Sequence, residues 1–472
     1  MNLSGNDVLM VVGLTALVAA SVWFILAWRS PAVFLGFFLW IHIEDLVRIM
    51  LGNLRLVFFV KGVLLAALLL GYAHRQWRLR RSLWEGFPAF VPLCVLFGLA
   101  VVQAFNPAIQ HPLQPVIGLH AQFLYIPMFL VAYQYFDSEE RIRQFLLFTF
   151  TLTALESLLT LPQMIFGPSW WYAIVGKPDT LEMFVGRAGA RAGEDFFRPS
   201  SIFANAGRFY QYLSVVATIM VGGLFHFQQK RDRLLAYGCF FSLCVGVFIT
   251  SGRTTVYLLV AAIALFLLVR MSRLGARVRV TFAVAGAACA MLWIVPPMLG
   301  KQAEFIQNLL VAPVSSFDPS AGNDNLFGRL MRYGTALQRA TSEAGWTGHG
   351  LGSNSLGLYF IGLQTTGEEP GYAALVWEYG IAGLVLWLAL MGTVWVRSLR
   401  AYRRLRGTPY QALGLAVVAL VSFAFIYQYI GYQILQNYLV TIYFWTFAAM
   451  LFALQRLAEQ EHEEFSDETG AA

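Results

Sequence analysis

Residues 57–81 read VFFVKGVLLAALLLGYAHRQWRLRR, and the class of the whole chain turns on how this stretch is parsed. The apolar run 55–74 opens on Arg55 and carries one charge inside it, Lys61. A helix needs about 20 such residues to cross the hydrocarbon core of a bilayer. Arg75, Arg78, Arg80 and Arg81 crowd the loop that follows, and short arginine-rich loops stay on the cytoplasmic side of a membrane. The stretch therefore predicts a transmembrane helix that ends in the cytoplasm.

The same pattern recurs along the chain. Apolar runs at 8–28, 87–105, 117–136, 145–166, 208–227, 234–251, 254–270, 280–298, 372–396, 411–431 and 437–455 predict further spans. The stretch 32–52 opens apolar but then carries Glu44, Asp45 and Arg48, so it is either a thirteenth span packed inside the bundle or a re-entrant piece. Composition agrees with this reading. The 472 residues are 58% hydrophobic and only 12% charged, with a mean hydropathy of +0.62, whereas soluble chains carry about 25% charge. A soluble enzyme, a secreted disulfide scaffold and a disordered regulator are excluded. The four cysteines lie in apolar runs with no CxxC spacing, which points to neither a metal site nor a disulfide framework. The first apolar run lacks a small-residue cleavage site and reads as a retained helix rather than a signal peptide.

The net charge of +7 does not indicate nucleic acid, because the basic residues sit in short loops. Arg141 and Arg143, the group Lys230, Arg231 and Arg233, the run from Arg270 to Arg279, and the run from Arg397 to Arg406 fill alternate loops. That alternation predicts N-terminal spans over 1–166, a first periplasmic loop at 167–207, and central spans over 208–298. A large periplasmic loop at 299–371, C-terminal spans over 372–455 and a cytoplasmic tail at 456–472 follow. Loops this long are uncommon unless functional or disordered. Trp170, Trp171, Phe196, Phe305 and Trp346 give both apolar anchors, so chemistry is expected there. No internal repeat, low-complexity tract or P-loop glycine pattern is present.

Both loops are rich in arginine. The first carries Arg187, Arg191, Arg198 and Arg208 alongside Glu194 and Asp195. The second carries Arg329, Arg332 and Arg339 with Glu343, Glu368 and Glu369. Between them the turn Thr250-Ser251-Gly252-Arg253 leaves an arginine at the outer surface with no acid beside it in sequence. A guanidinium offers a planar fork of donors that matches phosphate oxygens and keeps its charge. Arginines gathered at the outer leaflet suit a lipid diphosphate; pairing with the loop acids or with ordinary phospholipid is the plainer alternative. Lys61 and Glu156 fall inside predicted spans, where charges pair within the bundle or line a path. Glu378 reads as a structural partner for an outer-loop arginine. His349, in Gly348-His349-Gly350-Leu351-Gly352, is a candidate general base, although flanking glycines more simply mark a tight turn.

Taken in order, these motifs resemble the bacterial O-antigen ligase and O-antigen polymerase superfamily. The resemblance rests on Arg198-Pro199-Ser200-Ser201-Ile202-Phe203-Ala204-Asn205, on Ser251-Gly252-Arg253, and on Arg329 through Leu337 followed by the glycine motif at 348–352. Tyr372 through Gly383, with Leu375, Glu378, Gly380 and Gly383, completes the set, which covers most of the chain from about residue 117. The resemblance implies an all-α, GT-C-like inner-membrane protein of 12 or 13 spans that needs no cofactor and no metal. It implies inverting transfer of glycan from an undecaprenyl-diphosphate donor to a sugar hydroxyl at the periplasmic face. Arg198 and Arg253 would hold the leaving diphosphate and Arg329 would support the same cavity, with Arg191 and Arg339 in the same set. Neither outer loop carries an Asp-x-Asp pair, so arginine takes the part that a metal plays elsewhere. Where the ligases carry a histidine-led pair before the closing span, this chain reads Pro370-Gly371 after Glu368-Glu369. That departure favours a polymerase of repeat units over a ligase, with Glu368 or Glu369 as base. The partners implied are the lipid-linked donor, a glycan acceptor, the bilayer, and chain-length or export proteins, with no nucleic acid. A ligase and a transporter or flippase of lipid-linked sugars are the competing readings.

Overall fold

A computed structural model of the chain describes residues 5–54, 57–176, 199–250, 253–270, 326–355, 357–358, 362–363, 371–430 and 437–470. Among the described residues there is no β-strand. The helices are α1 (Gly5–Leu26), α2 (Pro31–Met50), α3 (Val57–Arg78), α4 (Phe90–Gln103), α5 (Gln114–Gln122), α6 (Met128–Tyr135) and α7 (Glu139–Val175). They continue as α8 (Ala206–His226), α9 (Lys230–Ile249), α10 (Arg253–Arg270), α11 (Leu326–Ala344), α12 (Gly371–Arg404), α13 (Gln411–Ile430) and α14 (Tyr438–Gly470). Six of them, α3, α7, α8, α9, α12 and the Tyr438–Glu463 part of α14, have the length and apolarity to cross a membrane. All of α4 and parts of α1 and α13 are shorter apolar helices. Large apolar side chains such as Leu70, Val91, Val102, Leu155, Val260 and Val385 face outward, as a bilayer allows and water does not favour. The molecule is an all-α polytopic membrane protein.

Local chemistry explains the helix borders. Ser30 is extended and precedes Pro31, which needs no N–H at a helix start. Asn205 caps α8 by accepting from the Arg208 backbone N–H at 2.8 Å. Several expected borders move. The stretch 117–136, read as one span, is two short helices separated by the turn 123–127. Pro127, at the N-cap of α6, disfavours helix in the residue before it. Helix breaks at Gly167 (φ 77°), resumes beyond it and runs to Val175, so the start of the expected first outer loop is helical. Part of the large loop is helical, as α11. The expected span 280–298 lies outside the described residues. The ambiguous stretch 32–52 is a continuous helix of 20 residues, roughly 30 Å long, with Glu44, Asp45 and Arg48 all buried.

The arginine-rich turns gather at one end of the bundle. Arg29, between α1 and α2, and Arg141 both bond to Asp137, the latter at 3.1 Å. Arg143 holds Asp232 at the start of α9 at 2.5 and 2.9 Å. Arg404, at the end of α12, reaches Glu459 at 2.7 Å, and Arg456 donates to the carbonyls of Tyr133 and Phe136 at 3.1 and 3.0 Å. Burial raises the phenol pKa of Tyr410, in the turn before α13, above its ordinary range; it stays protonated and donates to Glu461. The opposite end is formed where α2 finishes and α3, α8, α10 and α14 begin. Arg208 meets Asp45 there, Asn437 donates to Gln211 at 2.8 Å, and Thr255 donates to the Tyr210 carbonyl at 2.9 Å.

Candidate functional site

Two polar constructions occupy this second end. The first is a cluster of buried charges on α2, α3, α7 and α8. Lys61 Nζ donates to Glu44 Oε1 at 2.6 Å and to the Phe58 carbonyl at 2.8 Å. Arg208 Nη1 lies 2.8 and 2.7 Å from the two oxygens of Asp45. The Ala204 backbone N–H donates to the same carboxylate at 3.2 Å, and Arg48 approaches it at 3.7 Å. His42 Nδ1 lies 2.5 Å from Glu156 Oε1, and its Nε2 is 2.9 Å from the Tyr443 hydroxyl. Gln163 secures the segment before α8 by donating to the Ser201 carbonyl and accepting from the Ser201 N–H, at 2.6 and 2.9 Å. Removing a charge from water costs several kcal/mol unless a partner and further hydrogen bonds replace the solvent. Close, multiple pairing is therefore what holds these side chains inside.

The second construction joins the glycine motif to a break in α12. In an unbroken helix the Ile381 N–H would donate to the Trp377 carbonyl, four residues back. Gly380, with φ 71° and ψ −174°, interrupts that ladder. The Ile381 N–H donates instead to the Gly345 carbonyl at 3.0 Å, while the Trp377 and Glu378 carbonyls accept from His349 and Gly350 at 2.8 and 3.1 Å. Gly348, Gly350 and Gly352 all have positive φ (69°, 94° and 81°), a region open to glycine at little steric cost. The turn expected from these glycines is present. Gln103 and Asn106, at and beyond the end of α4, donate to the Thr347 and Gly348 carbonyls. His349 stacks on Trp377 with ring centroids 4.3 Å apart and planes at 14°. Its Nδ1 is buried and has no hydrogen-bond partner.

Glu378, expected to partner an outer-loop arginine, has amide partners instead. Its carboxylate accepts from the Asn354 N–H at 3.1 Å, from the Gly352 backbone and from the Gln122 side chain. Tyr379 donates to the same Gln122 at 2.5 Å. Glu378 thus ties the turn, α12 and α5 together. Loop amides supersede an arginine because the helix break brings residues 345–354 directly against it.

The remaining candidates divide by location. Arg191, Arg198, Glu368 and Glu369 lie outside the described residues. Arg253 opens α10, two residues before Thr255, whose hydroxyl is 2.7 Å from that of Ser214 on α8. Arg329 lies in the first turn of α11. Arg339 is exposed on α11, whose Ala340 and Ala344 pack against Ala373 and Val376 of α12. The structure brings Arg208, the start of α10 and the charges of α2 and α3 to one end. Lys61 and Glu156, read as pairing within the bundle or lining a path, pair with Glu44 and His42. Sequence reasoning did not single out His42, Gln122, Tyr125 or Tyr438. His42, Asp45 and Arg48 recur every third residue of a helix whose only other charge is Glu44, a spacing that sets them along one face and that was available as a signal. Among the described residues no three His, Cys, Asp or Glu side chains converge as metal ligands. Compared with known proteins, the chain matches no family model and no curated sequence.

Proposed function

We propose that the chain is a GT-C-like glycan polymerase of the O-antigen ligase and polymerase kind, acting at the periplasmic face of a bacterial inner membrane. The observation that carries this reading is the separation of the two ends. Arginine-rich turns, which the positive-inside rule assigns to the cytoplasm, are paired together at one end. Lys61, Arg208 and the first residue of α10, Arg253, stand at the other. In the proposed reaction an acceptor hydroxyl attacks the anomeric carbon of an undecaprenyl-diphosphate-linked oligosaccharide. The bond from that carbon to the diphosphate oxygen breaks, the lipid diphosphate leaves with the electron pair, and the hydroxyl proton passes to a base. Fixed cations in a dry site stabilise the charge developing on the leaving group. Arg198 and Arg253, supported by Arg191, Arg329 and Arg339, take that part by resemblance. Glu368 or Glu369 is the proposed base, and His349 the other candidate.

The test is purified protein in detergent with lipid-diphosphate-linked oligosaccharide, where no compartments exist. Lengthening of the glycan is expected. Arg253→Lys, expressed at normal level, should lose at least about tenfold in rate, because a point charge does not reproduce the guanidinium fork. Transfer onto a non-glycan lipid acceptor instead would make the protein a ligase. The buried pairs Lys61–Glu44 and His42–Glu156 also favour a transporter of lipid-linked sugars. No elongation in detergent, together with sugar movement in sealed vesicles, would establish that reading.

A further inference from the structure

The break in α12 raises a difficulty peculiar to a bilayer. The Trp377 carbonyl and the Ile381 N–H no longer bond to each other, and hydrocarbon offers nothing in place of a missing hydrogen bond. Gly380 and Arg397, the first arginine of the run that ends α12, are 17 residues apart, roughly 25 Å of helix. A hydrocarbon core is about 30 Å thick. With Arg397 at one border, the break falls just inside the other. The turn 345–350 covers it, since the Gly345 carbonyl accepts from Ile381 and the His349 N–H donates to Trp377. That turn therefore lies at the same depth.

Large aromatic side chains are exposed there. Trp346, whose carbonyl lies against Gly380, is 69% exposed. Phe105, two residues beyond the Gln103 that donates to the Thr347 carbonyl, is 82% exposed. In water such rings gain by burial. The adjoining face of α12 explains why they stay outside. Ile381 and Leu384 pack against Ala340 and Ala344 of α11, whereas Val385 and Leu388, on the same stripe at helical spacing, are exposed. Protein covers this face as far as Leu384, and bilayer covers it beyond. The end of α11, and Trp346 with it, stands at the changeover. Trp77, beside Arg75 and Arg78, is exposed in the same way at the opposite border. Tryptophan gathers at both borders of a membrane, where its ring meets acyl chains and its N–H meets headgroups.

We infer that the turn 345–350 is a membrane-interface contact, with Trp346 inserted at the headgroup border of the leaflet opposite the arginine-rich turns. The partner is the lipid bilayer. The insertion pins the C-terminal end of α11 to the membrane surface, so this part of the expected large loop is not a free domain above it. The inference needs the membrane class alone and not the glycan chemistry.

The experiment places the photoreactive residue p-benzoylphenylalanine at one position per variant in the full-length protein, held in phosphatidylethanolamine–phosphatidylglycerol nanodiscs. Trp346 is the position under test. Leu388 is the lipid-facing standard, and Thr335, exposed on α11, is the water-facing one. Phospholipid adducts are quantified by mass spectrometry after irradiation. Position 346 should give at least about tenfold more adduct than position 335, and come within about threefold of position 388. All three variants should melt with the wild type, because each replaced side chain is exposed. Adduct at position 346 no greater than at position 335 overturns the inference. Crosslinking of position 346 to a second copy, or to another segment of the chain, in place of lipid also overturns it.

Discussion

The two ends of the bundle solve the same charge-pairing problem in opposite media. At the arginine-rich end, Arg404 and Glu459 are 65% and 49% exposed and meet at 2.7 Å. At the other, Lys61 and Glu44 meet at 2.6 Å with no exposure at all. Exposed pairs gain little, because water already solvates both partners and holding two long side chains costs entropy. Buried pairs carry a desolvation cost that only close geometry and extra hydrogen bonds offset. The Arg404–Glu459 pair therefore tolerates the loss of a partner, whereas Lys61 and Glu44 each depend on the other.

Variants at the two ends should therefore differ in size of effect. Asp45→Ala leaves the Arg208 and Arg48 guanidiniums without their carboxylate, and a loss of about 3–5 kcal/mol is expected. Size-exclusion melting in detergent should show most of the protein aggregated. Glu44→Leu alone should approach that loss, and adding Lys61→Met should recover most of it, since apolar side chains of similar volume replace a buried pair at little cost. Failure of the double variant to recover would mean that the cluster is not an independent pair. Gly380→Ala comes next. A Cβ there meets the Trp346 carbonyl and forces a non-glycine residue to φ 71°, so at least about 2 kcal/mol should be lost. Glu378→Gln keeps the shape but weakens the bonds to the 352–354 amides, with an expected cost of about 1–3 kcal/mol. The smallest effect is expected for Arg404→Ala, under about 1 kcal/mol. A larger melting shift for Arg404→Ala than for Glu378→Gln would break the contrast between the ends.

How far the sequence could be read depends on whether a feature is local. The glycines at 348, 350 and 352 predicted a tight turn, because positive φ is a property of single residues, and each adopts it. The break inside 117–136 is invisible to hydropathy, because apolarity alone does not report it. Pro127 carried that information, and hydropathy outweighed it. The partners of Glu378 on α5 and in the 352–354 turn were beyond reach, since they follow from the interruption of α12 at Gly380. Arg208 was counted among the loop arginines. Its contact with both carboxylate oxygens of Asp45 spans 163 residues of chain, which no local pattern encodes.

The amino-acid sequence by itself determined the all-helical membrane class, the clustering of arginine in alternate turns and the presence of charges inside apolar runs. Each of these follows from hydropathy and charge within a window of a few helical turns. Only the tertiary structure decided which charges pair. His42 finds Glu156 across 114 residues, and Tyr438 comes between Lys61 and Arg208, because helix packing sets those distances and residue type does not.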